Sequence, residues 1–138
     1  MLSLSFLEHP TVIQIEQIVE LYKAENWWEN VPDNETAVKQ IVTGSHCFAI
    51  ATLDGKIIGM GRSISDGVSD AYIQDVTVRH SERGKKIGSQ IINFIVEKLN
   101  SDGIFWIGLI AEKNSSSFYE KIGFFKMPQS SPMLKRYE

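Results

Sequence analysis

The stretch Val76-Thr77-Val78-Arg79-His80-Ser81-Glu82-Arg83-Gly84-Lys85-Lys86-Ile87-Gly88-Ser89 constrains this chain more than any other. It reads as a buried strand, a basic turn carrying glycine, and the first turn of an amphipathic helix. That order leaves unpaired backbone N–H groups at the helix start, where the helix dipole favours an anion. Gly84 and Gly88 let a ligand approach the backbone closely, and Arg83, Lys85 and Lys86 add positive charge. A phosphate-rich ligand suits such a surface. Taken alone, the same residues also fit a solvated basic turn between two structural elements, and residues further along the chain decide between the two.

The flanking elements follow from periodicity. Leu2 to Phe6 alternates in polarity and predicts a short strand, broken by His9-Pro10. From Thr11, placed as an N-cap, Val12, Ile15, Ile18, Val19 and Tyr22 recur at helical spacing, and this helix is expected to end near Trp27-Trp28. A second helix fits Asn34 to Thr43, with Gly44 as its terminator. His46 to Leu53 and Lys56 to Ser63 read as two strands joined by the turn pair Asp54-Gly55. A polar loop over 65–70 leads into a strand from Ala71 to Val78.

After the basic turn, Ile87, Ile91, Ile92, Ile95 and Leu99 form a helical stripe ended by Asn100-Ser101-Asp102-Gly103. Ile104 to Ile110 is a nearly continuous apolar run, which suits a strand covered on both faces. Asn114 to Ile122 predicts a short helix ended by Gly123; Phe124-Phe125 and Met133 to Tyr137 predict further strands. An early hairpin followed by crossover helices indicates a mixed α/β sheet. At 138 residues, one domain over 1–138 is expected.

Composition removes several classes of function. A net charge of −3 argues against a general nucleic-acid binder, and basic residues are not interleaved with aromatics outside the turn. The lone Cys47 sits in an apolar run and reads as a buried, inert thiol in a reducing compartment. His9, His46 and His80 lack metal-ligand spacing, so no metal is expected. No apolar run approaches the length of a membrane span, and the N-terminus lacks a signal-peptide pattern, so a cytoplasmic location is the expectation.

Three segments together resemble the GCN5-related N-acetyltransferase (GNAT) superfamily. Asp75-Val76-Thr77-Val78 with Arg83-Gly84-Lys85-Lys86-Ile87-Gly88 is similar to the family's pyrophosphate loop, Arg/Gln-x-x-Gly-x-Gly/Ala. Asn114 with Ser117-Phe118-Tyr119-Glu120-Lys121-Ile122-Gly123-Phe124 is similar to its Asn…Ala-x-x-Phe-Tyr-x-x-x-Gly-Phe segment. Asp54-Gly55-Lys56-Ile57-Ile58-Gly59 is similar to its central hairpin. The chain departs from the pattern at Lys86, where the family has its first loop glycine, and at serine in place of the alanine before Phe-Tyr.

The resemblance implies an α/β (α+β) fold: a mixed, mostly antiparallel central sheet with splayed middle strands, flanked by helices. It implies acetyl-CoA as co-substrate, a small-molecule amine as acceptor and direct attack in a ternary complex. Backbone N–H groups of Lys85, Lys86, Ile87, Gly88 and Ser89 would hold the pyrophosphate, with charge from Arg83, Lys85 and Lys86. Val76, Thr77 and Val78 would meet the pantetheine arm as an added strand does. Asn114 and Ser117 fall in the cofactor segment, although Asn114 also suits a helix cap.

Tyr119 is the candidate general acid, donating to the departing thiolate as well as touching the cofactor. Asp75, an acid on an apolar strand, is either a base or a contact to the substrate ammonium; a surface Asp is the bland alternative. Trp27, Trp28 and Tyr72 could form an aromatic acceptor cavity for an arylalkylamine or another apolar amine, or simply pack in the core. Asp66 and Asp70 suit either a cationic acceptor or a solvated loop, and Arg62 either a substrate anion or a structural ion pair. The competing readings are a protein lysine or N-terminal acetyltransferase and a non-catalytic CoA-binding module. A homodimer is compatible with the family, with 133–137 as its candidate contact.

Overall fold

The computed structural model describes residues 1–28 and 34–136. The chain divides into two compact units, Met1–Gly108 and Leu109–Glu138. The first unit contains β1 (Leu2–Phe6), α1 (Val12–Ala24), α2 (Asn34–Gly44), β2 (Cys47–Leu53), β3 (Lys56–Ser65), β4 (Asp70–Val78), a 3-10 turn (His80–Glu82), α3 (Ile87–Ser101) and β5 (Trp106–Gly108). The second contains α4 (Ser116–Glu120). No helix among the described residues is long and apolar enough to cross a membrane.

The five strands lie in sequence order in one sheet. β1–β2, β2–β3 and β3–β4 are antiparallel; β4–β5 is parallel, joined through the crossover helix α3. β5 pairs with β4 only at Asp70, Ala71 and Tyr72, so the β5-facing edge of β4 from Ile73 to Val78 has no ladder to β5. The mixed, mostly antiparallel sheet expected from the sequence is therefore present, and its last two strands part after three residues.

Each face of the sheet has its own cover. Ile87, Ile91, Ile92, Ile95 and Leu99 are the buried stripe of α3, as periodicity predicted. Gly59 and Gly61 in β3 let this helix approach: a Cβ on Gly61 would lie 3.0 Å from Ile91 Cγ2 and 3.2 Å from Ile95 Cδ1. On the opposite face, Ile15, Ile18, Leu21 and Tyr22 of α1 and Val38 and Val42 of α2 close over Phe48, Ile50, Ile57 and Met60. Burying each such side chain contributes about 1.5–3 kcal/mol.

Thr11 caps α1 through a reciprocal pair: its Oγ1 accepts from Gln14 N (3.2 Å), and Gln14 Oε1 accepts from Thr11 N (2.9 Å). The helix stops at Ala24, short of the expected Trp27-Trp28, because Asn26 turns left-handed (φ 60°), a conformation asparagine tolerates.

Downstream the sequence expectations fail in three places. The run 104–110 yields only a three-residue edge strand, and Phe105 (76% exposed) and Trp106 (45%) are not covered. An edge strand is paired on one side only, so apolar residues there need not be enclosed. The helix expected over 114–122 shrinks to Ser116–Glu120, since Lys113 (φ 54°) and Asn114 (φ 59°) are both left-handed. Residues 124–136 form no strand; Pro128 and Pro132 remove two backbone donors from that segment. Tyr137 lies outside the described residues.

Candidate functional site

The chemistry of the first unit gathers at a bulge in β4. Met60 pairs with Thr77 and Arg62 with Gln74, so Gly61 alone faces both Asp75 and Val76. Asp75 takes up the extra residue in a left-handed conformation (φ 57°). Bulges of this kind re-aim a side chain, and this one turns Asp75 toward α1. Its Oδ2 accepts from Tyr22 Oη–H (2.8 Å) and from Arg62 Nε–H (2.6 Å). The ion pair is shielded, with Arg62 and Asp75 side chains 17% and 21% exposed. Burial, followed by the charge of Asp75, pushes the Tyr22 phenol far above its ordinary range, so it remains a donor. One oxygen of the Asp75 carboxylate is thus engaged by both a guanidinium and a phenol.

Two of the expected acceptor residues converge on Tyr22. Trp28 stacks face to face on its ring (4.2 Å, 5°), and Trp27 meets it edge-on (6.0 Å, 61°). Trp28 also packs on the core, while Trp27 is 36% exposed. Tyr72 is grouped instead with Trp106, ring to edge at 5.4 Å. The loop acid Asp66 is committed locally: its Oδ1 accepts from the backbone N–H of Val68 (2.8 Å) and Ser69 (2.9 Å). These bonds, Ser69 first, hold its carboxyl below the usual range.

The anion loop follows β4 directly. Gly84 (φ 81°) and Lys86 (φ 63°, ψ 18°) are both left-handed. Lys86, standing where the resembled loop pattern has glycine, is left-handed as the N-cap of α3, without a side-chain cap bond. The N–H groups of Ile87, Gly88 and Ser89, in the first turn, have no acceptor within the helix. Charge is distributed differently from the sequence expectation. Arg83 Nε donates to Val78 O (2.9 Å), and its Nη2 to Glu25 Oε1 (2.8 Å); Thr77 Oγ1 donates to the same Glu25 oxygen (2.7 Å). Lys85 Nζ binds Glu82 (2.8 Å). Lys86 is exposed and has no ion pair among the described residues. The Val78 carbonyl retains a second lone pair for an incoming amide.

In the second unit, Ser115 rather than Asn114 stands at the N-cap of α4, and its Oγ donates to Glu112 O (2.6 Å). The capping role considered for Asn114 is therefore absent, and Asn114 and Ser117 are exposed. Tyr119 is edge-on to Phe118 (5.1 Å, 80°) and to Phe124 (5.8 Å, 78°). Phe124 is folded back by its N–H bond to Tyr119 O (3.1 Å) across Gly123 (φ 103°). Burial, and secondarily the charge of Glu112, raises the Tyr119 phenol above its ordinary value.

Cys47 is buried with its Sγ 3.0 Å from Ser63 Oγ, and burial pushes the thiol up. Among the described residues, no three His, Cys, Asp or Glu side chains gather as a metal site. Sequence reasoning missed Tyr22, Glu25 and Trp106. Tyr22 sits on an apolar helical stripe and Trp106 in an apolar run, so both read as packing, and the contacts of Glu25 span more than fifty residues.

Comparison with known proteins places this chain in a family. Residues 13–135 match the acetyltransferase (GNAT) domain, and the chain belongs to that family. It is similar to an uncharacterised N-acetyltransferase ycf52 of Porphyra purpurea (28% identity; 80% of this chain, 67% of the relative) and to its namesake in Pyropia yezoensis (35%; 54% and 43%). The chain thus aligns with about half to two-thirds of the length of these relatives. In structure it resembles a GNAT-family acetyltransferase of Streptococcus pneumoniae (TM-score 0.81, 21% identity, 99% of this chain and 98% of that one).

Proposed function

We propose that this chain transfers the acetyl group of acetyl-CoA to the primary amine of a small molecule by direct attack in a ternary complex. The bulged β4 carries this reading, because one strand supplies both an open backbone edge and the aimed carboxylate of Asp75. The residues present suit the cofactor. Three helix-start N–H groups and Lys86 meet a pyrophosphate, and the free β4 edge meets an amide-bearing arm. Acetyl-CoA supplies the activated thioester.

In this reading Asp75 anchors the acceptor ammonium, and the amine loses its proton to water before attack. The C–N bond then forms as the C–S bond breaks, the nitrogen gives its second proton to water, and CoA leaves as a thiolate that takes a proton from solvent. Tyr119 has the role the resemblance implies, donating its phenolic hydrogen toward the departing thiolate. Burial raises that phenol above its ordinary value, which disfavours complete transfer of its proton to the thiolate. Tyr119 then works mainly as a hydrogen-bond donor to developing charge.

Relatives favour a small acceptor over a protein. They include a glucosamine 6-phosphate N-acetyltransferase of Candida albicans and serotonin N-acetyltransferase 2 of rice. An aminoglycoside 6'-N-acetyltransferase solved with coenzyme A shares the fold. The test is release of CoA thiol from acetyl-CoA across a panel of amines. Amine-dependent release supports the proposal; no release above the rate without amine, for small amines and peptides alike, refutes it.

A further inference from the structure

From the Asp75 anchor, the same sheet face continues into an aromatic ledge that neither α1 nor α2 buries. Arg62 pairs with Gln74 and Ile64 with Tyr72 across β3–β4, so these side chains share the face on which Arg62 meets Asp75. Tyr72 pairs with Gly108 of β5, and Trp106, two residues earlier, points the same way. Gly108 keeps the ledge flat: a Cβ there would lie 3.0 Å from Trp106 Cζ3 and 3.3 Å from Tyr72 Cε1. Tyr72 and Trp106 are each 45% exposed and Ile64 38%, in a sheet whose other large apolar groups on this face are buried. Two half-exposed rings fixed edge to face present a flat, apolar surface, and tyrosine and tryptophan give such area at little conformational cost.

We infer that this ledge selects the non-reacting end of the acceptor, and that the acceptor is an amine bearing an aryl ring on a flexible linker. The inference rests on Asp75 holding the ammonium. Asp75 lies three strand positions from Tyr72, about 10 Å, so a ring attached directly to the amine-bearing carbon falls short and a longer linker reaches. Ile64 beside the rings favours an apolar aryl group at this end over a sugar. Trp106 and Tyr72 are thus specificity-determining residues.

The experiment measures kcat/KM with acetyl-CoA for phenylmethyl-, phenylethyl-, phenylpropyl- and phenylbutylamine, for unbranched alkylamines of matching length, and for glucosamine. Wild type is expected to improve with linker length and to favour the longer phenylalkylamines about tenfold over their alkyl counterparts. Trp106→Leu and Tyr72→Leu should each erase most of that preference, bringing kcat/KM for the phenylalkylamines down to the level of the matching alkylamines. Turnover without dependence on ring or linker, or a preference for glucosamine, overturns the ledge while leaving acetyl transfer intact. Absence of turnover with every amine overturns both proposals. If Trp106→Leu lowers the sedimentation mass and leaves amine selectivity unaltered, the ledge is a contact between copies of the chain and the inference is wrong.

Discussion

Replacing Lys86 with glycine should make the protein more stable, although it removes a side chain from the proposed cofactor loop. Lys86 holds φ 63° and ψ 18°. That conformation costs an L-residue about 1–2 kcal/mol. Glycine relieves the strain but gives back about 0.5–1 kcal/mol through the greater freedom of its unfolded chain. The net gain is about 0.5–1 kcal/mol, or about 2–4 °C in Tm at this chain length. Lys86→Ala is the control, since it removes the same charge and keeps the strain, and it should not raise Tm. Both variants should weaken acetyl-CoA binding by a few-fold, with the deficit shrinking as salt screens the lost charge. Differential scanning calorimetry of the three proteins decides the matter. If Lys86→Gly melts at or below wild type while Lys86→Ala matches it, the left-handed strain assigned to this residue does not exist.

Other outcomes follow from particular contacts. Tyr119→Phe should lower kcat at least tenfold with little change in acetyl-CoA affinity; unchanged kcat removes the hydroxyl from the reaction. Gly61→Ala should destabilise by about 1–3 kcal/mol in urea unfolding, because the new methyl presses on Ile91, Ile95 and Val76 at once. The carboxyl of Asp66 is lowered by its backbone bonds, so its contribution is present above about pH 4 and is lost as pH falls through the lowered folded value. The Tm gap between wild type and Asp66→Asn should therefore be widest near neutral pH and close as pH falls below the ordinary carboxylate range; a gap that is constant with pH contradicts this.

Local signals in the sequence carried much of the fold. The α3 stripe, the Asp54-Gly55 hairpin and the Thr11 cap each depend on neighbours within a turn or two, and all three are present. Lys86 was visible as a departure from the family pattern, and its dihedrals explain how the loop accommodates it. The environment of Asp75 was not visible. Its bulge places a non-glycine residue left-handed, which leaves no mark in composition or period, and its partner Tyr22 is fifty-three residues away. The reading of 104–110 as a covered strand failed because an apolar run does not say whether both faces find partners. Trp106, treated as packing, is instead half exposed beside Tyr72.

Isothermal titration of acetyl-CoA into the protein tests most directly whether the β4 edge and the start of α3 form a cofactor site. Saturable one-to-one binding is expected, weakened by added salt and by Lys86→Ala. The absence of binding heat at millimolar acetyl-CoA, across temperatures that would reveal a masked enthalpy, would contradict a cofactor site at this loop and the acetyl transfer built on it.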